Sequence, residues 1–169
     1  APRFDAGTGI TRLTTVPISR DSADQRAGRA GRTEPGVAYR LWSRMEHGSR
    51  PAHRAPEIGQ VDLAGLLLEL SAWGSREVPF LDPPPARTLR QAEELLGELG
   101  AIDDAGGLTP LGRKMVGLPV HPRLAHMIAA RPDTLACVVA ALVEERDVMR
   151  GRPDDRPSDL ALRVQLVCG

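Results

Sequence analysis

The chain is poor in sulfur, in aromatic rings and in ammonium groups. Its two cysteines, Cys137 and Cys168, lie far apart and outside any CxxC pair, so neither a disulfide framework nor a zinc site is suggested. Aromatic residues make up 3% of the 169 positions; no stacking platform for nucleobases is visible, and Trp42 and Trp73 read as core. No apolar run is long enough to span a bilayer, and the N-terminus lacks the basic-then-apolar layout of a signal peptide. The expectation is an intracellular, cytoplasmic protein with no membrane partner. The chain opens on Ala rather than Met and closes on an apolar helix without a cap, which suggests a piece of a longer protein. Lys114 is the only lysine, and the formal net charge is zero, which on its face argues against a nucleic-acid partner.

The charge is nevertheless uneven. Residues 1–54 carry ten Arg against five acids, and residues 55–169 carry twelve Lys or Arg against seventeen acids. A biased composition, also rich in Ala, Gly and Pro, accounts for the number of arginines. It does not account for their spacing in "SADQRAGRAGR", Ser22 to Arg32, where Arg26, Arg29 and Arg32 recur every third residue with Gly28 and Gly31 between them. With 41% hydrophobic and 26% charged residues, the chain has a globular composition with room for one domain or two small ones.

Along the chain, "DAGTG" reads as a turn and "ITRLTTVPIS" as a strand ended by Pro17. Ser19 and Ser22 are candidate N-caps for a helix running toward the glycines. "VAYRLW" alternates like a strand and "SRME" has the capping-box pattern, so this part reads as the edge of an α/β domain. Residues 48–56, "GSRPAHRAP", are a connector. Downstream, one helix is expected from Pro56 to Gly74, with Leu63, Leu66, Leu67 and Leu70 as its apolar positions. A second carries Leu89, Ala92, Leu96 and Leu99 and stops at Gly100. Two short extended pieces around Asp104–Gly107 lead to Thr109 as N-cap with Pro110 behind it. This order suits a winged-helix module or a generic small α+β bundle. Two more helices come after His121, then the polar, proline-containing and mobile "GRPDDRPSD", then a short last helix.

Arginines three apart at a helix end can converge on one dense anion, because each guanidinium donates to two oxygens and keeps its charge. Gln25 adds a neutral amide able to orient a water. Those are the parts of an arginine-finger arrangement on a nucleoside triphosphate; the plainer reading is a solvated basic helix or a general phosphate-binding patch.

"QRAGRAGR" resembles motif VI of superfamily 2 helicases, and "ISRDSADQRAGRAGRTEPGVAYRLW" is similar to the DEAH/RHA-type group. "APEIGQVDLAGLLLELSAWG", "FLDPPPARTLRQAEELLGELGAID" and "LTPLGRKMVGLPVHPRLAHMI" resemble, in order and spacing, the region downstream of motif VI in that group; "YRLW", "LSAWG" and "LVEERD" resemble its bacterial HrpB-like branch. The resemblance implies a mixed, mainly α chain. Residues 1–50 would be the tail of a second RecA-like α/β domain, 55–118 a winged helix, and 119–169 the start of a helical, ratchet-like domain. It implies ATP as nucleotide, with Arg29 and Arg32 on its phosphates, Gln25 placing the attacking water or γ-phosphate, and Arg26 and the glycines holding the loop. Implied partners are single-stranded RNA or another nucleic acid, and upstream RecA-like domains of the same parent chain.

The departures from that pattern are as telling. There is no G-x-x-x-x-G-K-[ST] and no D-E-x-H, so Mg²⁺ would be held upstream and this chain alone should not hydrolyse ATP. The alternative is a stand-alone winged-helix nucleic-acid-binding module. His121 and His126 are read as structural, Asp103 and Asp104 as a turn, and Glu144, Glu145 and Asp147 as a solvated helix end.

Overall fold

A computed structural model describes residues 2–5, 10–145, 147–149 and 156–169. It separates into two compact units, Ala1–Asp62 with Phe80–Pro85, and Leu63–Pro79 with Ala86–Gly169. Among the described residues no helix is long and apolar enough to cross a membrane.

The first unit begins with an antiparallel hairpin of β1 (Pro2–Asp5) and β2 (Ile10–Leu13), in the register Pro2↔Leu13, Arg3↔Arg12, Phe4↔Thr11 and Asp5↔Ile10. The expected strand through Ser19 thus ends at Leu13, where its short partner runs out. The turn read at residues 5–9 falls mostly outside the described residues. Helix α1 (Arg20–Ala30) comes next. Ser19 occupies its N-cap position, but its hydroxyl donates to the Asp21 carboxylate and caps no backbone N–H. The first N–H groups of α1 are satisfied from the connector instead: Arg20 N donates to the Pro51 carbonyl at 2.9 Å and Asp21 N to that of Ala52 at 3.1 Å. Four orphan donors open every helix; here a distant segment accepts two of them.

Residues 37–42 form no strand. A strand is a pairing, and no described segment pairs with this one; Val37, Tyr39 and Leu41 stand 74%, 87% and 94% exposed. The expected α/β edge is therefore a hairpin, a helix, an irregular segment and the short α2 (Arg44–Ser49). Ser43 Oγ accepts the Glu46 N–H at 3.1 Å as the capping pattern predicts, while the Glu46 carboxylate turns to Arg50 at 2.7 Å.

The second unit is helical. The single helix expected from Pro56 is two pieces. A 3₁₀ turn at Glu57–Gly59, in the first unit, is closed by the Gln60 amide on the Ala55 and Pro56 carbonyls, and α3 (Ala64–Trp73) starts only after it. Gly74 ends α3 with φ +82°, a left-handed conformation that a residue with a Cβ adopts at a cost. Helix α4 (Ala86–Glu98) buries Ala92 and Leu96 on its apolar stripe. An antiparallel bridge between Ile102 and Leu108 makes the expected extended pair. Thr109 then caps α5 (Pro110–Val116), accepting from Gly112 N at 3.0 Å and donating to the Gly100 carbonyl at 2.6 Å. Gly112 packs so closely on Ala101 that a Cβ would collide with the Ala101 carbonyl oxygen.

Leu63, Leu96 and Met115 are sealed from solvent in this core, each such burial stabilising by about 1.5–3 kcal/mol. Helices α6 (Pro122–Ala130), α7 (Thr134–Glu144) and α8 (Leu160–Cys168) extend it by packing in succession, α5 on α6, α6 on α7, α7 on α8. Trp73 is not core: it is 76% exposed at the end of α3. Most of the segment read as mobile, residues 151–155, lies outside the described residues.

Candidate nucleotide-binding face

Helix α1 sorts the unusual arginines by its period. Gln25 and Arg29, four apart, lie on one face, and Arg32 stands two residues beyond the last helical residue, Ala30. Arg26 lies a quarter turn away on the side of Ala23, where with Ala27, Ala30, Tyr39 and Trp42 it lines a groove of about 330 Å³. So Gln25 and Arg29 share a direction that Arg26 does not.

All four side chains are exposed, and among the described residues none takes part in a hydrogen bond or ion pair. The neighbouring arginines differ. Arg40 pairs with Asp24. Arg50 donates to the Ile18 carbonyl at 3.1 Å, pairs with Glu46, and lies 4.3 Å above the Trp42 ring, which itself stacks with His47. Arg40 and Arg50 hold the unit together, whereas Gln25, Arg29 and Arg32 are left available.

The electrostatics of α1 run opposite to those of a helix that binds anions by its dipole. An anion is favoured at a helix N-terminus, and that end is filled by Asp21. The hydroxyl of Ser19, then the N–H groups of Ser22 and Arg54 and the ring of His53, hold its carboxyl below the usual carboxylate range against a burial effect of opposite sign. Arg29 and Arg32 sit at the other end, so an anion there is attracted by guanidinium charge against the dipole. Gly28 lies on the exposed side, where a Cβ would meet nothing within 4 Å; the close backbone approach is at Gly36, where a Cβ would collide with the Ala30 carbonyl.

The remaining polar residues are structural. His121 Nδ1 accepts the Arg123 N–H at 3.2 Å, and His121 N donates to Glu144 at 2.6 Å. Glu144 and Asp147, expected to be solvated, are thus engaged: Asp147 pairs with Arg163 at 2.7 Å. Asp103 folds back onto the N–H groups of Ala105 and Gly107, as a turn. Among the described residues no three or more His, Cys, Asp or Glu side chains come together as a metal site.

Known proteins give this face a family context. Residues 92–120 match the helicase-associated HA2 winged-helix domain. The chain is 43% identical over 150 residues to the ATP-dependent RNA helicase HrpB of Escherichia coli, covering 85% of this chain and 18% of that protein. It is 38% identical over 165 residues to HrpA of the same organism, covering 93% and 13%. It is 42% identical over 129 residues to the pre-mRNA-splicing RNA helicase prp22 of Schizosaccharomyces pombe, covering 74% and 11%. A crystal structure of the Escherichia coli DEAH/RHA helicase HrpB superposes with a TM-score of 0.82 at 39% identity, over 90% of this chain and 22% of that one. The chain therefore spans less than a fifth of the length of the curated relatives it matches.

Proposed function

Since the chain belongs to the DEAH/RHA family of RNA helicases, HrpB-like in sequence and fold, we propose that Gln25, Arg29 and Arg32 form one wall of a split ATPase site whose other wall lies in another part of the parent protein. The observation that carries this reading is the pairing of position and availability on α1. Gln25 and Arg29 share one exposed helical face, Arg32 stands just past its end, and none of the three is spent on a partner among the described residues.

The chemistry rests on what these groups are. ATP supplies a triphosphate whose equatorial oxygens gain or redistribute charge as the γ-phosphoryl group transfers. Arg29 and Arg32 meet that charge with planar, permanently cationic forks, an effect worth about 10³–10⁵ in rate where a finger is supplied. The Gln25 amide donates and accepts at once, which suits holding a water in line. Mg²⁺ would be bound outside this chain, whose described residues bring no carboxylate cluster together. In this reading residues 1–50 are the tail of a RecA-like domain, 55–118 the winged helix, and 119–169 the start of a helical domain beside the path of single-stranded RNA.

The stand-alone winged-helix reading is the weaker one. The turn between Ile102 and Leu108 carries Asp103 and Asp104 and no basic residue, a poor wing for a polyanion. The deciding experiment is Arg29→Ala in the enzyme that carries this segment. ATP turnover is expected to be abolished while RNA binding largely survives; normal turnover with lost RNA binding would sink the proposal.

A further inference from the structure

The hairpin sets two like charges side by side. Arg3 stands directly across from Arg12 in the β1–β2 register, and directly opposed residues of an antiparallel pair share a face with Cβ atoms about 4.5–5.5 Å apart. Both are exposed, and neither is ion-paired among the described residues. A two-stranded hairpin is marginal at best, and opposed like charges weaken it further. The arrangement becomes favourable when an anion lies across the pair.

Arg3 also lines a groove of about 270 Å³ beside the hairpin. His53 and Arg54 bring further basic groups to it, while Val16, Pro17 and Pro51 make an apolar wall. Two carboxylates are near. Asp21 pairs with His53 at 3.4 Å, and Asp5 is two residues along the face of β1 that carries Arg3. The basic groups thus outnumber the acidic ones.

We infer that Arg3 and Arg12, with the groove beside Arg3, bind the phosphodiester backbone of a single-stranded nucleic acid. The paired guanidiniums take phosphate oxygens by their forks. The apolar wall beside them offers a surface to a sugar or base, which a bare phosphate would not use. The inference rests on the proposal that the parent protein acts on nucleic acid, and adds residues that the motif VI arginines do not include.

The test is binding of a fluorescently labelled oligouridylate to the full chain, followed by anisotropy over a salt series. For Arg3→Ser/Arg12→Ser the slope of log K against log salt is expected to shallow by about 1.4, that is about 0.7 for each of two lost phosphate contacts on a single strand. Arg3→Lys/Arg12→Lys should restore it. Arg54→Ser, which leaves the hairpin intact, should shallow the slope by about 0.7, so the groove is read even if the double Ser variant unfolds. An unchanged slope and affinity in these variants would overturn the inference, as would no binding by the parent chain. Displacement of the oligonucleotide by inorganic phosphate, beyond what chloride of equal ionic strength achieves, would assign the groove to free phosphate and overturn it equally. Loss of turnover in Arg29→Ala concerns the ATPase proposal alone, so the two readings fail separately.

Discussion

Arg163 and Asp147 meet at two points: Arg163 Nε donates to Asp147 Oδ1 at 3.0 Å and Nη2 to Oδ2 at 2.7 Å. Met149 N adds a bond to Oδ1 at 3.0 Å, and Arg163 Nη1 donates to the carbonyls of Pro157 and Asp159. One guanidinium therefore ties the residues just after α7 to the start of α8.

This pairing makes stability depend on acid. The Arg163 hydrogen bonds, then the Met149 N–H, hold the Asp147 carboxyl at about 2, below the ordinary value of ~3.9. A depressed carboxyl stabilises fully above its unfolded value and loses that contribution as pH falls through its folded one. Asp21 and Asp133 are lowered too and act with the same sign. The thermal midpoint is expected to fall between pH ~4 and ~2, and Asp147→Asn to flatten part of that fall. Equal pH profiles for the two proteins would refute the role given to the pair.

The two classes of arginine in the first unit separate by stability. Arg50 has a side chain only 11% exposed, a carbonyl acceptor, a carboxylate and a tryptophan face. Arg50→Ala is expected to cost about 1–3 kcal/mol. Arg29→Ala, at an exposed position without a partner among the described residues, should stay within about 0.5 kcal/mol. Urea unfolding of both variants checks this; comparable losses would mean that Arg29 is a structural residue.

How much could be read in advance depends on how local each signal is. The ends of α3, α4 and α5 are written in neighbouring residues: Gly74, Gly100, and Thr109 with Pro110. The segment 37–42 has the alternation of a strand, yet alternation states only which faces differ, and pairing depends on a neighbour that its own residues do not specify. The same limit hides β1, and with it the Arg3–Arg12 register, since no local pattern says which residues will stand opposite one another. Trp73 is legible as large and apolar but not as exposed, because burial is decided by what packs against the end of α3. For the candidate site, the string from Gln25 to Arg32 is visible in the sequence, and the helical period alone turns Arg26 away from Arg29. That Arg40 and Arg50 are spent on structure emerges only from contacts with Asp24, Ile18 and Trp42.

Gly28 offers the sharpest separation of fold from function. It lies inside α1, exposed, with open space where a Cβ would be, so Gly28→Ala meets no obstacle in the folded chain. An alanine in an exposed helix interior is favoured over glycine by about 1 kcal/mol, and the unfolded chain loses freedom besides. Gly28→Ala should therefore raise the midpoint of unfolding. If the exposed side of α1 approaches a triphosphate closely, the added methyl stands beside Gln25 and Arg29 and hinders that approach, so ATP turnover in the parent enzyme should fall while the fold becomes more stable. A variant both more stable and fully active would mean that bound nucleotide keeps its distance from this backbone, and that the glycine serves neither the fold nor the site.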